Sequence, residues 1–500
     1  MNDTDRLKEK IFGRQNVLAK IHAQQGLVSL FDYVIGWQTG PGFSDESITS
    51  VIRDLAGKSL TPNEAQEVAS QIQSLPLVST VDHHGIFGHP FFLNANLMFS
   101  LRKELKYLPV FSTSGVSLNN SSWPGCLVLT NPNTGLLERL SFFHDGHKTK
   151  TVFGAGKISS VETVRVIEQI KNLSFLNVNQ KEKLTQLVQK IFLSTRVLEQ
   201  NNFSDQACVI SQMLWQEVFP SAPKLVYLPL EEIVSQILIK DIAVNPDHIL
   251  HKLFFTPAGW QSVEKYFLGL RGAFGPNRGS FLFWGVDGED RRVAFARQEF
   301  RITCPPPVRN GFALRMPGGS AGASGDCRRE NLESRKGYSL STEDISKALF
   351  ERKIYPTSLV CFLVMLYYNF NCLGGFNQTT WLTEIKEKFI ALLEGMGESG
   401  LAERVKKAVT DNFAETPLAF SYTNSLLTKP SLLDLYLNSV DYESLEQRAK
   451  KITLSQSLET ELPEIYKIAV PQADRLANLS AITPTQIAEN NGLTKILGLL

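Results

Sequence analysis

The chain has 500 residues, more than one hydrophobic core usually holds, so two or three domains are expected. Hydrophobic residues make up 43% and charged residues 20%, which excludes global disorder. Lys and Arg number 51 against 50 Asp and Glu, a net +1 that excludes a chain-wide basic surface for nucleic acid.

The N-terminus, MNDTDRLKEKIFGRQ, is charged and has no apolar stretch of the kind a secretory signal needs. The longest apolar run, Leu359 to Tyr368, is far shorter than the roughly 20 residues of a membrane-spanning helix and is expected as a buried helix. None of the six cysteines forms a C-x-x-C, so neither a disulfide scaffold nor a zinc ribbon is expected. The expected compartment is the reducing cytoplasm, with no membrane and no nucleic acid as partner.

Leu7, Ile11, Leu18 and Ile21 share a helical face, and residues 44 to 75 read as two helical pieces. Between Leu108 and Gly154, the runs LPVFSTS, CLVLTN, LERLSFFH and KTVFG alternate with turn-forming clusters such as Asn131-Pro132-Asn133-Thr134-Gly135. They are expected as strands of an antiparallel meander. Helical period returns at Ser159, where Ser159 and Glu162 fit a capping box. A second helix is expected from Asn179, with Leu184, Leu187, Val188, Ile191 and Phe192 as its buried stripe. Asn245-Pro246 fits a cap followed by proline in the first turn. Residues 281 to 300 read as a hairpin turning near Asp287-Gly288. Beyond Ser341 the chain is expected to be mostly helical, with Leu382, Ile385, Phe389 and Leu392 on one face and Gly395 and Gly397 as stops.

The predicted fold class is α+β and predominantly helical, with the meander in the N-terminal third and a helical C-terminal region. The expected units are residues 1–158, 159–270, 271–340 and 341–500. The third stands apart: between Arg271 and Arg335 lie eleven arginines, seven acids and no lysine. Its stretch 303 to 330 has no helical or strand period. It fits a surface loop or linker, an anion-binding loop through arginines such as Arg309, Arg315, Arg328 and Arg329, or an altered reading frame. Gly318-Gly319-Ser320-Ala321-Gly322 matches G-x-S-x-G, but no strong strand precedes it. No P-loop and no convincing dinucleotide motif occurs, so no nucleotide cofactor is expected.

The chemistry-bearing feature is histidine. Five of the eight histidines lie between His83 and His147. The first group is Asp82-His83-His84-Gly85-Ile86-Phe87-Gly88-His89, and the second is His144-Asp145-Gly146-His147. Imidazole and carboxylate are ligands for zinc, iron or manganese, and imidazole also moves protons near neutral pH. Asp82, His83, His84 and His89 form the candidate metal set. His84, His144, Asp145 and His147 form the candidate catalytic set. Ser114, Asn119 and Asn120, in the polar loop between the groups, are candidate substrate contacts. Adjacent His83 and His84 are expected on opposite faces. His248 and His251 share a helix face without a third ligand nearby, which favours a packing or surface role.

The triplet Asp82-His83-His84 resembles the motif that names the DHH phosphoesterases, in which it helps to bind manganese. The alternating βα pattern of that family is absent from the sequence around the triplet. His83-His84 also resembles the H-H-x-x-x-D-G motif of condensation-type acyltransferases, but Gly88 and His89 stand at the matching positions. Neither family's roles are carried over. The expectation is an enzyme acting on a small polar substrate through a His/Asp site, by hydrolysis or metal-assisted oxidation. The alternatives are a non-catalytic binding or assembly protein, or an anion binder using the arginine-rich segment.

Overall fold

Four short runs of apolar residues, far apart in the chain, build the centre of the molecule. In the computed structural model, which describes residues 3–43, 45–270, 280–295, 302–303 and 341–498, the strands are β1 (Leu77–Ser79), β2 (Tyr107–Ser112), β3 (Cys126–Thr130), β4 (Leu137–Ser141), β5 (Lys224–Pro229), β6 (Phe283–Val286), β7 (Arg292–Phe295), β8 (Ile302–Thr303), β9 (Ile354–Pro356), β10 (Asn371–Leu373), β11 (Ser421–Thr423) and β12 (Leu426–Thr428). Strands β10, β1, β2 and β5 form one sheet in that order, and every pairing is parallel. Val78 pairs with Cys372, Ser79 with Val110, and Val110 with Tyr227.

The parallel sheet separates two apolar cores. Leu77, Leu108, Val110, Leu225 and Tyr227 face one; Val78, Tyr107, Phe111, Val226 and Leu228 face the other. Each core draws on both halves of the chain: Leu7 and Leu493 lie in the first, Ile48 and Val405 in the second. Strands covered on both faces by helices lose the in–out alternation of a solvated sheet, as β2 shows with all six residues buried.

The chain is therefore mixed helix and sheet and predominantly helical, but its central sheet is not a meander. Of the four expected strands, β2 joins β1 and β5, and only β3 and β4 form an antiparallel pair. Thr151 and Lys150 make isolated bridges to Ser117 and Arg291, and the rest of KTVFG is turn. The helix Pro90–Ser100 connects β1 to β2, making a βα unit where the sequence showed none. A second sheet, β8-β7-β6-β9, is antiparallel and contains the expected hairpin, with Trp284 opposite Ala294.

The locally encoded elements lie close to their expected places. Helices span Glu46–Ala56 and Pro62–Ser74, and the Ser159–Glu162 capping box starts the helix Ser160–Lys171. The next helix, Val178–Phe192, starts earlier than expected, because Asn177 caps it and pairs with Gln180. Its stripe from Leu184 to Phe192 is buried as predicted. Asn245 is a turn residue: its side chain accepts the N–H of Asp247, and His248 caps the helix Ile249–Phe254 instead. His251 is buried and bonded through Nδ1 to the carbonyl of Ile242 at 2.9 Å, a packing role. The helix Ser358–Tyr367 is the buried apolar run, and Phe376–Gly395 carries the stripe from Leu382 to Leu392. Ser320 and Arg309, Arg315, Arg328 and Arg329 lie outside the described residues. Among the described residues, no helix is long and apolar enough to cross a membrane.

Candidate active site

The carboxyl edge of a parallel sheet is where open α/β folds place their ligands, because strand ends and helix starts leave a crevice there. Here that edge gathers the loop after β1, carrying Asp82 to Gly85, and the loop after β2, carrying Thr113 to Gly115. It also gathers the helix Leu230–Ile237 after β5 and Gly374-Gly375 after β10. Backbone hydrogen bonds tie the first two loops: Thr113 N–H donates to Asp82 O at 2.8 Å, and His84 N–H to Thr113 O at 2.8 Å.

The two adjacent histidines point to different surroundings, as their alternation predicts. His84 is fully buried, its ring stacked on Tyr227 with centroids 5.1 Å apart. Its Nε2 lies 2.9 Å from the carbonyl oxygen of Ser204, which can only accept, so Nε2 carries the proton. Nδ1 then accepts from Ser112 Oγ at 2.7 Å. Both nitrogens are occupied, and burial lowers the imidazole pKa to about 4.

His83 is only partly buried and keeps one nitrogen open. Ser122 Oγ lies 3.0 Å from His83 Nδ1 and 3.0 Å from Asn120 Oδ1. Asn120 Oδ1 also accepts the Ser122 N–H at 3.1 Å, which identifies it as the carbonyl oxygen. An amide oxygen only accepts, so the Ser122 hydroxyl donates to it and accepts from His83 Nδ1–H. This leaves the lone pair on Nε2, which has no hydrogen-bond partner among the described residues. Burial lowers the His83 pKa to about 4, with the Asn120 contact opposing, so the ring is neutral at pH 7.

Asp82 is fully buried, its carboxyl oxygens 2.9 and 3.1 Å from Asn96 Nδ2, and burial pushes its pKa well above the usual range. His89 caps the helix Pro90–Ser100, accepting the Phe91 N–H on Nδ1, and packs against Phe91, Phe92 and Trp123. Burial, helped by the charge of Lys429, lowers its pKa to about 3. The four residues of the expected metal set thus face different partners. Among the described residues no three His, Cys, Asp or Glu side chains are grouped for one metal ion.

The second histidine group is a surface turn. His144, Asp145 and His147 are exposed. Asp145 pairs with Lys148 at 2.6 Å, which holds its pKa low, and the Arg165 guanidinium lies 2.6 Å from the His144 ring. Among the described residues, no hydrogen bond, ion pair or ring contact joins this group to His83, His84 or His89. Ser114 is buried, with its N–H and Oγ donating to Glu231 Oε2 at 2.6 and 2.8 Å. Asn119 is exposed and accepts from Ser117, whereas Asn120 sits at the site through Ser122.

Sequence pattern missed Ser122, Trp123, Glu231, Glu415 and Lys429. Glu231 arrives from the first turn of the helix after β5, Glu415 and Lys429 from the far end of the chain, so no local spacing marks them. Lys429 lies between Glu461 at 2.6 Å and Glu464 at 3.0 Å, with its ammonium 3.7 Å from the Phe91 ring centre. Glu415 accepts the Phe376 N–H at 3.0 Å, and burial raises its pKa to about 7.

The His84 geometry carries a pH-dependent prediction. Its folded pKa, about 4, lies below the unfolded value of about 6.5. Below pH 6.5 the unfolded chain takes up a proton that the folded chain refuses, so this residue's stabilising contribution falls with pH until about 4. His84→Gln removes that loss. The stability gap between wild type and variant, measured by urea denaturation, should narrow by about 2 kcal/mol from pH 7.5 to pH 5. A gap independent of pH contradicts the buried, neutral histidine.

Comparison of the chain with protein-family models, with curated proteins and with solved structures finds no match.

Proposed function

We propose that the protein is an enzyme for a small polar substrate bound at the carboxyl edge of the parallel sheet, and that His83 Nε2 accepts a proton from the substrate or from water. The supporting observation is the polarity of the chain Asn120–Ser122–His83. It fixes the Nδ1–H tautomer and leaves the Nε2 lone pair free on a neutral, partly buried imidazole. A positioned base of this kind speeds proton transfer by roughly 100- to 10,000-fold. Hydrolysis is the reaction class this favours, because the base needs only water or a hydroxyl to deprotonate.

The test is consumption of compounds from a pool of polar metabolites, followed by mass spectrometry, with wild type and His83→Gln side by side. At least one compound should be consumed by wild type and roughly 100-fold or more slowly by the variant. For that compound the acid limb of kcat/KM should fall near pH 4 rather than near 6.5, the ordinary imidazole value. Equal rates in the two proteins sink the proposal.

A further inference from the structure

One residue at this edge has a backbone that its side chain disfavours. Trp123, directly after Ser122, has φ of 48°, in the left-handed region that large side chains avoid. Such strain costs about 1–3 kcal/mol and persists where the surroundings force it, often at ligand sites. Here it sets the indole between two groups. Arg139, from β4, stacks on the indole with Cζ 4.6 Å from the ring centre. The His89 ring meets the indole edge-on, centroids 6.2 Å apart.

Arg139 is exposed and has no hydrogen bond or ion pair among the described residues. Lys429, whose ammonium lies over Phe91, is already held by Glu461 and Glu464. His89 adds a donor: its Nδ1 accepts the Phe91 N–H, so the proton sits on Nε2, which has no partner among the described residues. His83, its ring against Phe92 at 5.3 Å, completes the group. Arg139 and His89 both meet Trp123, and His83 and His89 both meet Phe92, so a cation, a neutral N–H donor and a proton acceptor belong to one cluster of rings.

We infer that the substrate is an anion, a carboxylate or a phosphate monoester, whose charged group lies on Arg139 and the His89 Nε2–H while its ionisable hydroxyl or attacking water faces His83. This rests on the reading of His83 as the base. A guanidinium has the planar pair of donors that both anions match, and stacking on an indole holds it in place before the ligand arrives. No bond is made or broken by Arg139 or His89; they bind and orient.

The experiment is thermal unfolding of the full chain, as wild type, Arg139→Gln and His83→Gln, titrated separately with inorganic phosphate and with malonate. Both anions stabilise any folded protein slightly by exclusion from its surface, so the readout is the difference between proteins. A saturable rise in Tm is expected in wild type and in His83→Gln. In Arg139→Gln the apparent affinity should fall about tenfold or more, the loss of one charge-assisted hydrogen bond. The anion that gives the rise tells phosphate from carboxylate recognition. Equal titrations in wild type and Arg139→Gln, or no saturable rise with either anion, overturn the inference. Because His83→Gln retains the anion response, failure of the base reading shows only in the turnover assay and stays separate.

Discussion

Gly85→Ala should destabilise the protein by about 3 kcal/mol and detach His83 from Ser122. A Cβ at Gly85 would lie 2.4 Å from Cβ, 2.5 Å from O and 2.6 Å from Cα of Pro124. Neither side has room to yield. Pro124 O already accepts the Ile86 N–H at 2.8 Å, and Gly85 O accepts from Ser211 Oγ at 3.0 Å. Relief requires the 122–124 segment to move away from the loop after β1, and that separates Ser122 Oγ from His83 Nδ1. Urea denaturation measures the stability loss. Imidazole nitrogen NMR measures the tautomer, which should lose its fixed Nδ1–H form. Gly146→Ala is the matched control, since a Cβ there meets nothing within 4 Å, and it should change stability by less than about 0.5 kcal/mol. A Gly85→Ala protein as stable as that control contradicts the close approach.

What the sequence disclosed follows from how far each signal reaches. The stripe from Leu184 to Phe192 and the Ser159–Glu162 cap are written within one or two helical turns, and both are present. The parallel sheet is not local. β1 and β10 have three residues each, and Val78 finds its partner Cys372 almost three hundred residues later. Strands that short carry no readable period, and β2, buried on both faces, carries no alternation, so in sequence it reads like β3 and β4, which follow it. The histidine cluster was visible by composition, and alternation placed His83 and His84 on opposite faces. Which of them keeps a free nitrogen depends on Ser204, Ser112 and Ser122, and no spacing reveals that. His144 and His147 look like the first group in sequence, yet their turn stays at the surface with Lys148 and Arg165.

Glu231→Ala should cost about 4 kcal/mol, a large part of the roughly 5–15 kcal/mol that holds a typical domain together. Both carboxyl oxygens of this buried residue are used: Oε2 accepts Ser114 N–H and Oγ–H, and Oε1 accepts Gly115 N–H at 2.9 Å. Alanine leaves two buried backbone donors and a hydroxyl unpaired, each costing about 1–3 kcal/mol. Gln keeps one acceptor oxygen but points an NH2 group at a donor, so Glu231→Gln should lose roughly half as much. The loop cannot easily close over the gap, because Gly115 is already packed on Tyr355, where a Cβ would come within 2.7 Å of Cε2. Ser114 follows Thr113, whose backbone pairs with the loop carrying Asp82, His83 and His84. A shift of about 1 Å there is enough to lower turnover roughly 100-fold even where the variant folds. Stability is read by urea denaturation, and turnover of the His83-dependent compound is read on the folded fraction. Full stability in Glu231→Ala would contradict the carboxylate's structural role; full turnover in the folded variant would contradict the coupling between the β2 loop and His83.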